Sequence, residues 1–192
     1  MRARLALAAS GLECTLREVV LANKPAALRQ ASPKATVPVL VLPNGTVLDQ
    51  SLDIMLWALR QNDPKQWLQG SHADLDAMLL LVNACDHDFK QQLDRYKYPS
   101  RFGLACGLAH RAQGAAFLML LNARLTQHAH LMGAEPTLAD YAIAPFVRQF
   151  AHTDAPWFAA QPWPGLQRWL SAFENSAEFA AVMQKQVPWQ ES

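Results

Sequence analysis

The feature that most constrains the fold is the segment 32–51, in which turn-forming residues alternate with short apolar runs. An apolar, β-branched run at 39–42 is followed by Asn44-Gly45, which supplies the positive φ angles of a tight hairpin. Residues 46–48 then return as the second strand. Ser51 opens a pattern with apolar residues three and four positions apart, which predicts a helix. The segment therefore predicts a loop, a hairpin and a helix start in close succession.

This order of elements suits the capture of a small peptide. A strand entered through Val37-Pro38 leaves a main-chain group before the proline that can pair with the backbone of a bound peptide. The carboxylate of that peptide would lie on the amide groups and the positive dipole end of the helix that begins at Ser51.

The segment resembles the glutathione-binding half of the cytosolic glutathione transferases. In that family the matching Val-Pro bond is cis, and the residue before the proline pairs its backbone with the cysteinyl part of glutathione. A Gln/Glu-Ser pair holds the γ-glutamyl carboxylate. The resemblance therefore implies that glutathione, as a co-substrate, is bound by Val37, Pro38, Gln50 and Ser51.

Two further stretches are similar to this family. Asn23-Lys24-Pro25 resembles the omega-like branch, whose matching lysine faces glutathione, so Lys24 is a further candidate for binding. Residues 136–146 resemble the buried family helix with its Ser/Thr-x-x-Asp start. We interpret Thr137 and Asp140 as a helix cap and not as ligand-binding residues. The resemblance covers essentially all 192 residues.

The resemblance implies an α/β thioredoxin-like N-terminal domain, truncated at its start, followed by an all-α helical-bundle C-terminal domain. We place these domains at 1–62 and 72–192, and the polar, breaker-rich stretch at 63–71 reads as a linker. Within the first domain the pattern predicts a strand at 15–21. Within the second, it predicts a long helix that begins near Pro99 and ends at Gly133.

In the family, a first strand and a catalytic turn lie ahead of the first helix, and residues 1–8 already resemble that helix. No residue of this sequence is therefore assigned the catalytic role, and Cys14 falls past the helix instead of before it. We expect that the start codon is assigned too late. The alternative is a real truncation whose gap is filled by another segment, such as one swapped from a partner chain.

Two functions follow from the resemblance. The full-length form would conjugate glutathione to a small electrophile, or it would exchange thiols with a disulfide. The alternative is a non-catalytic binding or scaffold module that keeps the fold. The family usually forms homodimers, so the resemblance also implies a homodimer.

Composition excludes other classes of partner. A net charge of +1, from 17 basic and 16 acidic residues, gives no electrostatic footprint for nucleic acid and no basic run for a membrane surface. No stretch approaches 18 uninterrupted apolar residues. The three cysteines, Cys14, Cys85 and Cys106, form no C-x-x-C motif, which is typical of a reducing, cytoplasmic setting.

The helical half contains fewer residues whose pattern indicates a function. His128 and His130 are two positions apart and would point to different sides of a helix, so we predict no metal site. In the family, the end of the helix that carries Tyr96 and Tyr98 helps to line the electrophile pocket. Those two rings and Arg101 would form its walls, or they would only pack between two long helices, and both interpretations stay open.

Overall fold

The computed structural model describes residues 1–69 and 74–190. The last two residues of the predicted linker, 70 and 71, and the predicted domain start at 72 lie outside the described residues. The chain divides into two compact units, Met1–Lys65 together with Ala177–Ser192, and Gln66–Ser176. The C-terminal segment, which the sequence places with the helical domain, groups instead with the N-terminal residues. We call these units 1 and 2.

Unit 1 contains a short sheet among helices. Its elements up to residue 61 are α1 (Arg2–Ser10), α2 (Ala26–Ala31), β1 (Leu40–Val41), β2 (Val47–Leu48) and α3 (Ser51–Gln61). Helix α1 packs against α3. The core between them is aliphatic, and its buried members include Leu5, Ala6, Ile54, Met55 and Leu59.

The predicted hairpin is confirmed. Strands β1 and β2 pair antiparallel, with Leu40 opposite Leu48. Gly45 occupies the turn with a φ of 83°, a conformation that glycine adopts without steric cost. The side-chain oxygen of Asn44 accepts a hydrogen bond from the amide of Thr46 at 3.0 Å. Asn44-Gly45 therefore closes the turn as its sequence predicts.

The predicted strand at 15–21 is wrong. Among the described residues this stretch makes only isolated bridges, a parallel one between Glu18 and Pro188 and an antiparallel one between Val20 and Asn23. A strand requires a ladder of successive hydrogen-bonded residue pairs with a neighbouring strand. β-Branched residues favour extended backbone, but they do not supply that neighbouring strand.

The C-terminal residues supply the contact that this stretch does make. The amide of Trp189 donates to the carbonyl of Glu18 at 2.8 Å. The guanidinium carbon of Arg17 lies 4.5 Å from the centre of the Trp189 ring. One backbone bond and one cation–π contact therefore hold the C-terminal segment beside the extended stretch.

The helices and turns of unit 2 are connected by loops, and the structure describes no strand of two or more residues in it. Its helices are α4 (Leu75–Ala84), α5 (Lys90–Lys97), α6 (Leu108–Gln127), α7 (Leu138–Ala151), α8 (Ala155–Ala159) and α9 (Pro164–Glu174). A π-helical turn (Cys85–Phe89) joins α4 to α5, and a 3₁₀ turn (Pro99–Phe102) follows α5. The last helix of the chain, α10 (Ala177–Met183), belongs to unit 1 and packs against α1.

The helix predicted from Pro99 to Gly133 is shorter at both ends. After the 3₁₀ turn, Gly103 adopts a φ of 66°, which ends helical geometry, and α6 begins only at Leu108. The helix then ends at Gln127, since His128 is extended. Gly133 lies beyond this end, in an isolated bridge with His130.

The cap interpretation of Thr137 and Asp140 is confirmed. Asp140 is buried, and its Oδ2 atom accepts hydrogen bonds from the Thr137 amide at 2.9 Å and from the Thr137 hydroxyl at 3.0 Å. Its Oδ1 atom accepts from the Leu131 amide at 2.9 Å and from the indole Nε1 of Trp169 at 2.8 Å. One carboxylate therefore joins the start of α7 to the preceding loop and to α9.

Candidate functional site

The first part of the candidate site is the loop between α2 and β1. The peptide bond between Val37 and Pro38 is cis, the geometry that the resemblance implies for it. Val37 is 47% exposed. Neither its backbone N–H nor its carbonyl has a hydrogen-bond partner among the described residues. This residue therefore presents a donor and an acceptor to solvent or to a ligand.

The second part is the N-terminus of α3. Gln50 is the N-cap residue, with an extended φ of −113°, and its side chain makes no capping hydrogen bond. Gln50 is exposed and Ser51, the first helical residue, is half-buried. The first amides of a helix lack intrahelical partners and lie at the positive end of its dipole. This end of α3 is therefore able to receive a carboxylate.

An ion pair joins these two parts. The carboxylate of Asp49, the residue before Gln50, accepts from the hydroxyl of Ser32 and from the ammonium of Lys34, each at 2.9 Å. Ser32, the donor of one of these bonds, is 1% exposed. The loop that carries Val37 is thus tied to Asp49, the residue before the N-cap of α3. Sequence reasoning gave Ser32, Lys34 and Asp49 no role, because pairs 15 or 17 positions apart leave no local signal.

We predict a pH dependence for this ion pair. The hydrogen bonds from Lys34 and Ser32 hold the pKa of Asp49 below its ordinary value. Because the folded pKa is depressed, the stabilisation is present above the ordinary unfolded value of about 3.9 and is lost as pH falls through the folded pKa. Lys34→Ala should move the carboxyl titration of Asp49 upward in an NMR pH titration.

A matched variant checks this prediction. Lys65 pairs with Glu178 and lowers its pKa in the same way. Lys65→Ala should therefore shift the titration of Glu178 and leave that of Asp49 in place. If the titration midpoint of the Asp49 carboxyl is the same in Lys34→Ala as in the parent chain, this ion pair does not form in solution.

Lys24 stands apart from these contacts. It is half-buried, follows the turn at 20–23, and has no ion-pair partner in the part of the chain that the structure describes. No bond ties it to Val37 or to the start of α3. Its charge therefore remains available to an anionic ligand.

In unit 2, the three residues considered as walls of an electrophile pocket, Tyr96, Tyr98 and Arg101, differ in their environments. Tyr96 is 7% exposed, and its ring lies 4.9 Å from that of Phe150. Burial raises the pKa of the Tyr96 phenol, and the Arg111 guanidinium partly offsets this. Tyr98 lies nearer the surface, 4.1 Å from the guanidinium carbon of Arg101. Tyr96 therefore packs in the core, whereas Tyr98 and Arg101 lie at the surface of unit 2.

Within residues 1–69 and 74–190, no group of three or more His, Cys, Asp or Glu side chains is placed to hold a metal ion. None of the described helices is both long enough and apolar enough to cross a membrane.

Comparison with known proteins identifies the family. Residues 1–61 match the family model described as the glutathione S-transferase N-terminal domain, and residues 65–172 match that of the C-terminal domain. This chain belongs to the glutathione S-transferase family. Its fold is the glutathione S-transferase fold, with a small thioredoxin-like N-terminal domain that has a short sheet and a helical C-terminal domain. No curated protein compared with the chain matches it.

Solved structures share this transferase fold. BphK, described as a bacterial glutathione S-transferase in a ternary complex, is 19% identical with a TM-score of 0.80, over 95% of this chain and 92% of its own. A glutathione S-transferase from Rhodospirillum rubrum F11 is 21% identical with a TM-score of 0.77, over 97% and 87%. A sphingomonad glutathione S-transferase complexed with glutathione is 20% identical with a TM-score of 0.76, over 95% and 91%.

Proposed function

We propose that this glutathione S-transferase family member binds glutathione on unit 1, with the main chain of Val37 and the N-terminus of α3 as its two anchors. The observation that carries the proposal is the backbone of Val37, an exposed residue, which has no hydrogen-bond partner among the described residues and lies in a loop that is tied to the residue preceding Gln50. An extended peptide needs such a donor and acceptor pair for its backbone. Its carboxylate needs the amides of a helix N-terminus.

Each candidate residue has a role in this proposal. Val37 pairs with the cysteinyl backbone, and Pro38 sets the direction of the chain on entry to β1. Gln50 and Ser51 hold the γ-glutamyl carboxylate, for which the Ser51 hydroxyl and the α3 amides are the donors. Lys24 provides a positive charge toward the tripeptide, as the similarity to the omega-like branch implies.

Glutathione bound in this way would serve a transferase reaction. In conjugation, its thiolate sulfur forms a bond to a small electrophile, and the electrophile loses its leaving group. In thiol–disulfide exchange, the thiolate attacks one sulfur of a disulfide and releases the other as a thiolate. We propose one of these reactions, in the cytoplasm and in a homodimer, on the strength of the family.

A second candidate is a module that binds glutathione without turnover. It is favoured over an exchange reaction that uses a protein thiol by the positions of the cysteines. Cys85 is buried, whereas Cys14 and Cys106 are exposed. None of the three lies in the Val37 loop or at the start of α3. Turnover of a generic electrophile and of a mixed disulfide, measured beside glutathione binding, separates the candidates, because binding without turnover supports the module.

Variants at the start of α3 test the proposed site. We expect Ser51→Ala and Gln50→Ala each to weaken glutathione binding about tenfold in calorimetry, because each removes a charge-assisted hydrogen bond of about 1.5 kcal/mol. The free energy of unfolding should change little, since neither side chain caps α3.

Gln61→Ala, at the exposed far end of the same helix, and Ser100→Ala, on the surface of unit 2, are the matched controls. Both should bind glutathione as the parent chain does. Unchanged affinity in the Gln50 and Ser51 variants would reject the site.

A further inference from the structure

An open cavity of about 280 Å³ lies in unit 2, where the end of α7, the short helix α8 and helix α9 meet. Three of its lining residues, Ala151, Ala155 and Ala159, have side chains too small to fill the space between these helices. Phe158 and Leu170 add larger apolar surface from largely buried positions. We call this space the α8 cavity. It is slightly smaller than the clefts of about 300–1,000 Å³ that hold drug-sized ligands, so it suits a small molecule.

Helix α8 is held in place at both ends. At its start, the Oδ1 atom of Asp154 accepts a hydrogen bond from the Trp157 amide at 3.1 Å. At its end, the Nε2 atom of Gln167 on α9 donates to the carbonyl of Phe158 at 3.0 Å and to that of Ala159 at 3.1 Å. The walls of the α8 cavity are therefore formed before a ligand enters, which lowers the entropy lost on binding.

The polar part of the lining offers hydrogen-bond acceptors. The Oε1 atom of Glu174 accepts from the Nε2 atom of His152 at 2.7 Å and pairs with Arg148 at 2.9 Å. A carboxylate has no proton to donate, so Nε2 is the donor and Nδ1 of the neutral ring is an acceptor. Within the described residues, neither that Nδ1 atom, nor Oε2 of Glu174, nor Oε1 of Gln167 has a hydrogen-bond partner.

These three atoms determine the chemistry of the ligand. Because all of them are acceptors, the ligand needs an O–H or N–H group that donates. The hydroxyl of Ser171, which also lines the α8 cavity, can donate or accept and does not change this requirement. Arg148 balances the charge of Glu174, so a neutral donor is sufficient and a cation is not needed. The apolar lining favours a ring as the rest of the molecule.

We propose that the α8 cavity binds a small neutral phenol, whose ring lies on Phe158 and Leu170 and whose hydroxyl donates to Glu174. This site belongs to unit 2, and it does not depend on the proposed glutathione site.

The test is an amide NMR titration of the full chain with p-cresol, beside toluene, which has the same ring and methyl group but no hydroxyl. We expect p-cresol to saturate with a dissociation constant in the range of about 1 mM, with the largest shifts at residues 151–159 and 167–174. Toluene should bind at least about threefold more weakly, because it cannot donate to Glu174.

A matched pair of variants on exposed alanines locates the site. Ala159→Leu places a larger side chain in the α8 cavity and should weaken p-cresol binding at least about tenfold. Ala160→Leu makes the same change at the next residue, which does not line the cavity, and should leave the affinity unchanged. Glu174→Gln keeps the size of the side chain but removes its charge. It should weaken p-cresol binding about threefold and leave toluene binding unchanged.

Ser51→Ala should bind p-cresol as the parent chain does, which separates this site from the start of α3. The proposal is overturned if p-cresol does not saturate, if toluene binds as tightly, or if Ala160→Leu weakens binding as much as Ala159→Leu. A loss of affinity in Ser51→Ala, or unchanged affinity for p-cresol in Glu174→Gln, overturns it as well.

Discussion

Asp140→Ala is expected to lower the free energy of unfolding of the chain by about 3–5 kcal/mol. The buried carboxylate accepts four hydrogen bonds, two from Thr137 and one each from Leu131 and Trp169. Its removal leaves buried donors unpaired, at about 1–3 kcal/mol for each donor left without an acceptor, and takes away the cap of α7. Urea unfolding followed by circular dichroism measures the loss.

Two further variants show how much of this effect is capping alone. Asp74 caps α4 at an exposed position and accepts one bond, from the Asp76 amide at 3.2 Å. Asp74→Ala should therefore cost only about 1 kcal/mol. Asp140→Asn keeps one acceptor oxygen and should fall between the two, which preserves a measurement if the alanine variant does not fold. Equal costs for Asp140→Ala and Asp74→Ala would contradict the bridging role.

Gly107→Ala is expected to lower the free energy of unfolding of the chain by about 2–3 kcal/mol, or by more if α5 and the start of α6 cannot move apart. A Cβ atom at this buried position would lie 2.4 Å from the carbonyl oxygen of Tyr96 and 2.7 Å from its Cα. These are backbone atoms of α5, so a side chain cannot rotate away to relieve the overlap. Forcing a methyl group into such a contact moves α5 or the start of α6. Thermal unfolding measures the effect.

Gly103→Ala is the informative comparison. A Cβ atom there would meet nothing within 4 Å, but the φ of 66° is unfavourable for a residue with a side chain. We expect a cost of about 1–2 kcal/mol from this conformation alone. A smaller loss at Gly107 than at Gly103 would show that the close approach of α6 to α5 is not maintained in solution.

The sequence predicted those parts of the fold and of the candidate site that depend on neighbouring residues. The hairpin follows from Asn44-Gly45, whose side chain and positive φ both act within three residues. The start of α3 at Ser51 follows from apolar spacing within one helix. The capping pair of Thr137 and Asp140 is likewise local.

Other parts depend on residues that are distant in sequence. The Ser32 and Lys34 bonds to Asp49 join positions at the two ends of the loop and hairpin, and the Trp169 bond to Asp140 spans 29 positions. Composition does not reveal such pairings. The strand predicted at 15–21 was wrong for a related reason. Its residues favour extended backbone, but a strand also needs a neighbouring strand to pair with, and local propensity does not predict that neighbour.

The central claim is that glutathione binds at the Val37 loop and the start of α3. The most direct test is an amide NMR titration of the full chain with reduced glutathione. We predict saturable shifts that are largest at Val37 and at residues 50–53, and that are reduced by Ser51→Ala. Absence of saturation, or shifts confined to unit 2, would contradict the claim.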